Sequence, residues 1–168
     1  LSGYKSSFCS LGVSVLAEKG EQRSSGGNSC SKRFFAELDT PEKIAEKAAR
    51  KAWQMLDPRR VKTQKASVIF DRDVSPSLIE GIISALNGES VLQGTSFLAG
   101  KIGRRIAVGP FTLTDDGTIP GGPASAPFDD EGVPISRHVF VDGGVLKGFM
   151  YNTAAALRAG TKSTGNAS

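Results

Sequence analysis

The residues able to do chemistry in this sequence are few. There is one histidine, His138, there are two cysteines, Cys9 and Cys30, and the densest carboxylate group is Asp129-Asp130-Glu131, behind Phe128 and in front of Gly132 and Val133. Zinc hydrolases hold their ion with imidazole, thiolate and carboxylate, usually three protein ligands with one position left open for water. A single histidine excludes any two-histidine helix motif within the chain. Neighbouring carboxylates on an extended segment point to opposite faces, so Asp129 and Asp130 converge on one ion only if the loop folds around it. The alternating ligands of a calcium loop are also missing. Phe128 and Val133 are therefore expected to anchor the stretch, while its acids cap backbone N–H groups or face solvent. Ser136 lies two residues before His138, a spacing that shares a strand face without the sharp turn that exposes a nucleophile, and no GxSxG string occurs. The glycine-rich strings GGPAS and DGG match neither a P-loop nor GxGxxG before a helix.

Elements must hold these residues in place. FCSLGVSVLA, residues 8–17, favours a strand; GEQRSSGGNS then reads as a polar turn, and residues 31–38 as a return strand with Phe34 or Phe35 inward. Thr40-Pro41-Glu42 opens an amphipathic helix that keeps Ile44 or Ala45, Ala48 or Ala49, Ala52, and Met55 or Leu56 on one side and ends at Asp57-Pro58. Trp53 is expected to pack at its edge. Polar residues 58–66 set a boundary between a first region, 1–62, and a second, 63–168. SVIF, residues 67–70, suggests a short buried strand. Ser75-Pro76 starts a core-facing helix striped by Leu78, Ile79, Ile82, Ile83 and Leu86 and ended by Asn87-Gly88. RIAV and FTLT read as strands broken by Gly109-Pro110, and VPISRHVFVDGGVLKGFM as a hairpin turning at Asp142-Gly143-Gly144. A short helix, NTAAALRAG, follows. The fold class is α+β, mostly antiparallel sheet and hairpins with a few packed helices.

Composition narrows the function classes. With 39% hydrophobic and 23% charged residues the chain has a globular balance, and no apolar run is long enough to span a membrane. Its first residues lack the pattern of a signal peptide, and two cysteines are too few for a disulfide scaffold, so a reduced cytoplasmic setting is expected. The net charge of +4 comes from scattered basic residues, with groups at Arg59, Arg60 and Lys62 and at Lys101, Arg104 and Arg105. Neither group is interleaved with aromatics, which disfavours nucleic acid as a partner.

Four strings in order, GTSFLAGKIGRRIAV, SAPFDDEGVP, DGGVLKGFMYNTAAA and KSTGNA, resemble the TldD/PmbA family, also called TldD/TldE. Residues 1–58 look like that family's central region and 66–168 like the front of its C-terminal domain. The TldD branch carries HExxxH, which the family uses with a later cysteine to hold zinc for peptide hydrolysis. Counting back from Gly94-Thr95-Ser96 places that string on Ile79, Glu80, Gly81, Ile82, Ile83 and Ser84. Glu80 keeps the general-base position. Ile79 and Ser84 occupy the ligand positions, and isoleucine has no lone pair to offer. The chain thus resembles the metal-free PmbA (TldE) branch.

The resemblance implies a non-catalytic cytoplasmic subunit, inactive alone and without cofactor. It would accompany a TldD-type zinc protease in a heterodimer or hetero-oligomer, or form a homodimer, in proteolysis and peptide maturation. Peptide or partner contacts are expected from Thr95, Ser96, Asp129, Asp130, Glu131, Ser163 and Thr164. Two alternatives stay open: a metal-independent hydrolase using Glu80 with Asp129 to Glu131, and a homo-oligomeric regulatory protein of the DNA gyrase modulator type.

Overall fold

The computed structural model describes residues 3–167. The chain divides into two compact units, one of residues 1–66 with 121–123 and one of residues 67–120 with 124–168.

The first unit is a hairpin covered by a helix. Strands β1 (Cys9–Lys19) and β2 (Gln22–Lys32) pair antiparallel from Cys9 opposite Lys32 to Lys19 opposite Gln22, around a two-residue turn at Gly20-Glu21. The return strand thus starts nine residues earlier than the sequence suggested. Of the glycines read as a turn, Gly26 is a packing position: a Cβ on it would lie 2.3 Å from both Ala48 O and Ala52 N. Helix α1 (Pro41–Gln54) comes that close because Ile44, Ala48 and Ala52 form its buried side, each fully shielded from solvent. Thr40 caps it, Oγ1 accepting from Lys43 N at 3.4 Å. With the strand already spent, Phe35–Glu37 forms a 3-10 turn, and Phe34 and Phe35 are exposed rather than inward. Trp53 is also exposed.

In the second unit a three-stranded antiparallel sheet has the order β3 (Leu113–Asp116), β4 (Arg137–Asp142), β5 (Val145–Leu146). Gly143 and Gly144 turn β4 into β5 with φ of 52° and 80°, as a type I′ hairpin requires. RIAV is not a strand. Arg105 makes one bridge to Val145, after which Ile106 and Ala107 both donate to Gly144 O, at 2.8 and 3.2 Å, so the segment wraps the hairpin tip. The space it enters exists because Gly144 has no side chain: a Cβ there would stand 2.3 Å from Ala107 O.

Helices α2 (Ser75–Ala85), α3 (Gly88–Leu92) and α4 (Thr153–Ala159) complete the unit. Leu86, Leu98, Phe140, Val141, Leu146 and Phe149 form the core. Each such side chain, once buried, contributes about 1.5–3 kcal/mol. α2 enters this core only at its C-terminal end. Ala85 and Leu86 are buried, Ile79 and Ile82 are half-buried, and Leu78 and Ile83 are exposed, so the stripe is not core-facing along its length. SVIF is no strand either: Ile69 is 96% exposed, and a short apolar string without a pairing partner gains nothing from extended backbone. Met150 N donates to Leu86 O at 2.8 Å and Gly88 N to Met150 O at 2.7 Å, which ties the end of α2 to the chain leaving β5.

Candidate functional site

The acidic loop folds around its own first carboxylate. Asp129 is 8% exposed. Its Oδ1 accepts from Glu131 N at 3.0 Å and Val133 N at 2.9 Å, and its Oδ2 from Ala167 N at 3.0 Å. Burial pushes this carboxyl up, but the N–H donors of Ala167, Val133 and Glu131 together outweigh it and hold Asp129 below the ordinary carboxylate range. Glu131 Oε2 accepts from Thr153 N at 2.7 Å, in the first turn of α4, while Asp130 is exposed and gives its backbone N–H to Ala167 O at 3.2 Å. Phe128 bridges to Pro134 and closes the loop. Two of the three acids therefore hold backbone.

The remaining contact candidates are also tied within the chain. Ser96, 8% exposed, donates from Oγ to Ala85 O at 2.6 Å and accepts from Leu98 N at 3.1 Å. Thr95 Oγ1 donates to Ser90 O at 3.1 Å. Ser163 and Thr164 both donate to Tyr151 O, at 3.0 and 3.2 Å, and Thr164 Oγ1 accepts from Tyr151 N at 2.8 Å. The GNA segment is thereby fastened between Tyr151 and the acidic loop.

That fastening shapes a cleft of about 530 Å³ beside the end of α2. Ser84 and Asn87 line it from one side, Asp115 of β3 and Asn166 from another, and Met150 and Asn152 from the chain entering α4. Glu89 also lines it and is paired with Arg158. Asn166 Nδ2 donates to Asp115 Oδ2 at 2.7 Å, which leaves its Oδ1 as a buried acceptor without a partner among the described residues. Sequence reading passed over these asparagines. The signal available was positional, since Asn87 and Asn152 directly precede helices.

The three positions singled out on α2 do not meet in one place. Ile79 is half-buried, Glu80 exposed, and only Ser84 lines the cleft. A zinc ion does not fit this donor set. Isoleucine cannot ligate, a neutral serine hydroxyl is a poor substitute for imidazole, and the Nε2 of His138, on β4, lies 2.9 Å from Ser136 Oγ. Among the described residues, no three His, Cys, Asp or Glu side chains converge as a metal site.

Residues 63–168 match the PmbA/TldA metallopeptidase C-terminal domain and residues 1–56 the central domain of the same proteins, and the chain belongs to this PmbA/TldD family. It is 33% identical over 167 residues to the metalloprotease PmbA of Escherichia coli O157:H7, covering 99% of this chain and 37% of that protein. A crystal structure from Thermotoga maritima, named as a candidate modulator of DNA gyrase, superposes with a TM-score of 0.87 at 30% identity, over 94% of this chain and 36% of that one. TldE from Thermococcus kodakarensis superposes with a TM-score of 0.80 at 28% identity, over 95% and 36%. The chain thus spans little more than a third of the length of these relatives. No helix among the described residues is long and apolar enough to cross a membrane.

Proposed function

We propose that this chain serves as a PmbA-type, non-catalytic partner of a TldD-type zinc peptidase in the cytoplasm, in proteolysis and peptide maturation. The observation that carries this reading is the side-chain chemistry along α2. Counting back from Gly94-Thr95-Ser96 puts the two ligand positions on Ile79, which is half-buried, and Ser84, which lines the cleft; neither side chain replaces an imidazole, which supports a Glu80 without an ion to act on. Such a subunit acts by architecture: it closes the chamber around the partner's zinc, excludes bulk water and offers surfaces to an extended peptide. Metal analysis and peptidase assays of the purified protein test the reading. Alone it is expected to hold no stoichiometric zinc and to show no chelator-sensitive hydrolysis, with activity appearing when a homologue containing HExxxH is added. About one zinc per chain, measured after dialysis, would overturn it.

A further inference from the structure

We propose that residues 59–65 form a cationic strip that receives a carboxylate-rich face of the partner subunit and speeds its docking, an inference that rests on the partner reading above. The stretch carries Arg59, Arg60, Lys62 and Lys65 and no acid. The chain as a whole has 21 basic and 17 acidic residues, an excess of four, so outside this stretch the two signs balance. All of the net charge therefore sits in seven consecutive residues. Each of them is exposed, none lies in a helix or strand, and none makes a hydrogen bond or ion pair among the described residues. Other cations of the same unit are spent within it: Lys43 and Lys47 share Asp39, Arg50 pairs with Glu46, and Lys19 pairs with Asp57.

Residues 58–70 contain no helix or strand. A connection of that length is uncommon in a compact domain unless it is functional or a plain linker. Plain linkers owe their flexibility to Gly and Ser, and residues 58–66 contain neither. At up to about 3.3 Å per residue, the four free cations span a strip about 20 Å long. Carboxylate is the anion that suits it. The guanidinium forks of Arg59 and Arg60 match a carboxylate with two parallel hydrogen bonds, whereas no aromatic side chain occurs between Trp53 and Phe70 to stack on a nucleic-acid base. Exposed charges of this kind add little to the final affinity and act on the encounter: they raise the association rate and make it depend on salt, while dissociation hardly changes.

The test follows association of the full-length protein with a zinc-bearing homologue containing HExxxH, by biolayer interferometry at low and at high salt. A variant combining Arg59→Gln, Arg60→Gln, Lys62→Gln and Lys65→Gln is expected to associate about tenfold more slowly at low salt, with a flattened salt dependence, an unchanged dissociation rate and an unchanged melting temperature. A control combining Lys5→Gln, Lys32→Gln, Lys101→Gln and Arg104→Gln loses the same net charge from other exposed positions and is expected to associate within about twofold of the parent. Equal rates for the parent and the strip variant, an equal loss in the control, or a DNA oligonucleotide binding the parent more tightly than a glutamate peptide of the same charge would each overturn the inference. A parent that fails to bind the homologue at any salt removes the partner reading and this inference with it. Binding whose rate the strip variant leaves unaltered removes this inference alone, so the two failures are told apart.

Discussion

Replacing Asp129 tests the acidic loop directly. Its carboxylate is 8% exposed and accepts three backbone N–H groups at 2.9–3.0 Å, two from its own loop and one from Ala167. Hydrogen bonds to a charged acceptor contribute about 1.5–3 kcal/mol each, and a buried donor left unmet costs about 1–3 kcal/mol. Asp129→Ala orphans all three donors, and with some water reaching so shallow a site the loss is set at about 4 kcal/mol. Asp129→Asn keeps two weakened bonds on Oδ1 and turns an NH2 toward the Ala167 N–H, for about 3 kcal/mol after the lower burial penalty of a neutral amide is allowed for. Urea unfolding followed by circular dichroism measures both. The pH dependence adds a second check. The folded pKa lies below the ordinary value of 3.8, so the carboxylate's contribution is complete above about pH 5 and is lost as pH falls through the folded value. The gap between parent and Asp129→Asn therefore narrows in acid. An Asn variant as stable as the parent at neutral pH, or a gap that stays constant down to pH values below 3.8, would refute the account.

Two further outcomes follow from packing. Gly26→Ala places a methyl group 2.3 Å from α1 backbone atoms that cannot swing aside, and is expected to destabilise the first unit by about 3 kcal/mol or more, read as a lower urea midpoint. Ser96→Ala removes the bonds to Ala85 O and from Leu98 N in a buried site and is expected to cost about 1–3 kcal/mol, read as a lower urea midpoint.

What could be read from the sequence was local. α1 announces itself through Thr40-Pro41 and a three-to-four residue spacing of Ile44, Ala48 and Ala52, and the 137–146 hairpin through alternation around two glycines. These signals sit within a few residues of what they specify. The misplaced β2 shows the opposite case. Gly26 looks like turn chemistry, yet its purpose is the close approach of a helix that begins fifteen residues later, and nothing adjacent records that. SVIF and RIAV show that a short apolar string does not carry its own fate, which depends on whether another segment arrives to pair with it. The cleft was unreadable for a related reason. Asn87, Asn152 and Asn166 are unremarkable singly and become a site only when the 163–167 segment is drawn against Tyr151 and Asp129.

The tip at Gly143-Gly144 bears on how the second unit assembles. Its peptide groups receive Ile106 and Ala107 and give an N–H to Phe111, all more than thirty positions earlier in the chain. Those earlier residues have nothing to dock on until the later reversal exists, so closure here waits on a long loop and comes late. During synthesis, the stretch around residue 106 would emerge first and remain unsettled until its receptor followed.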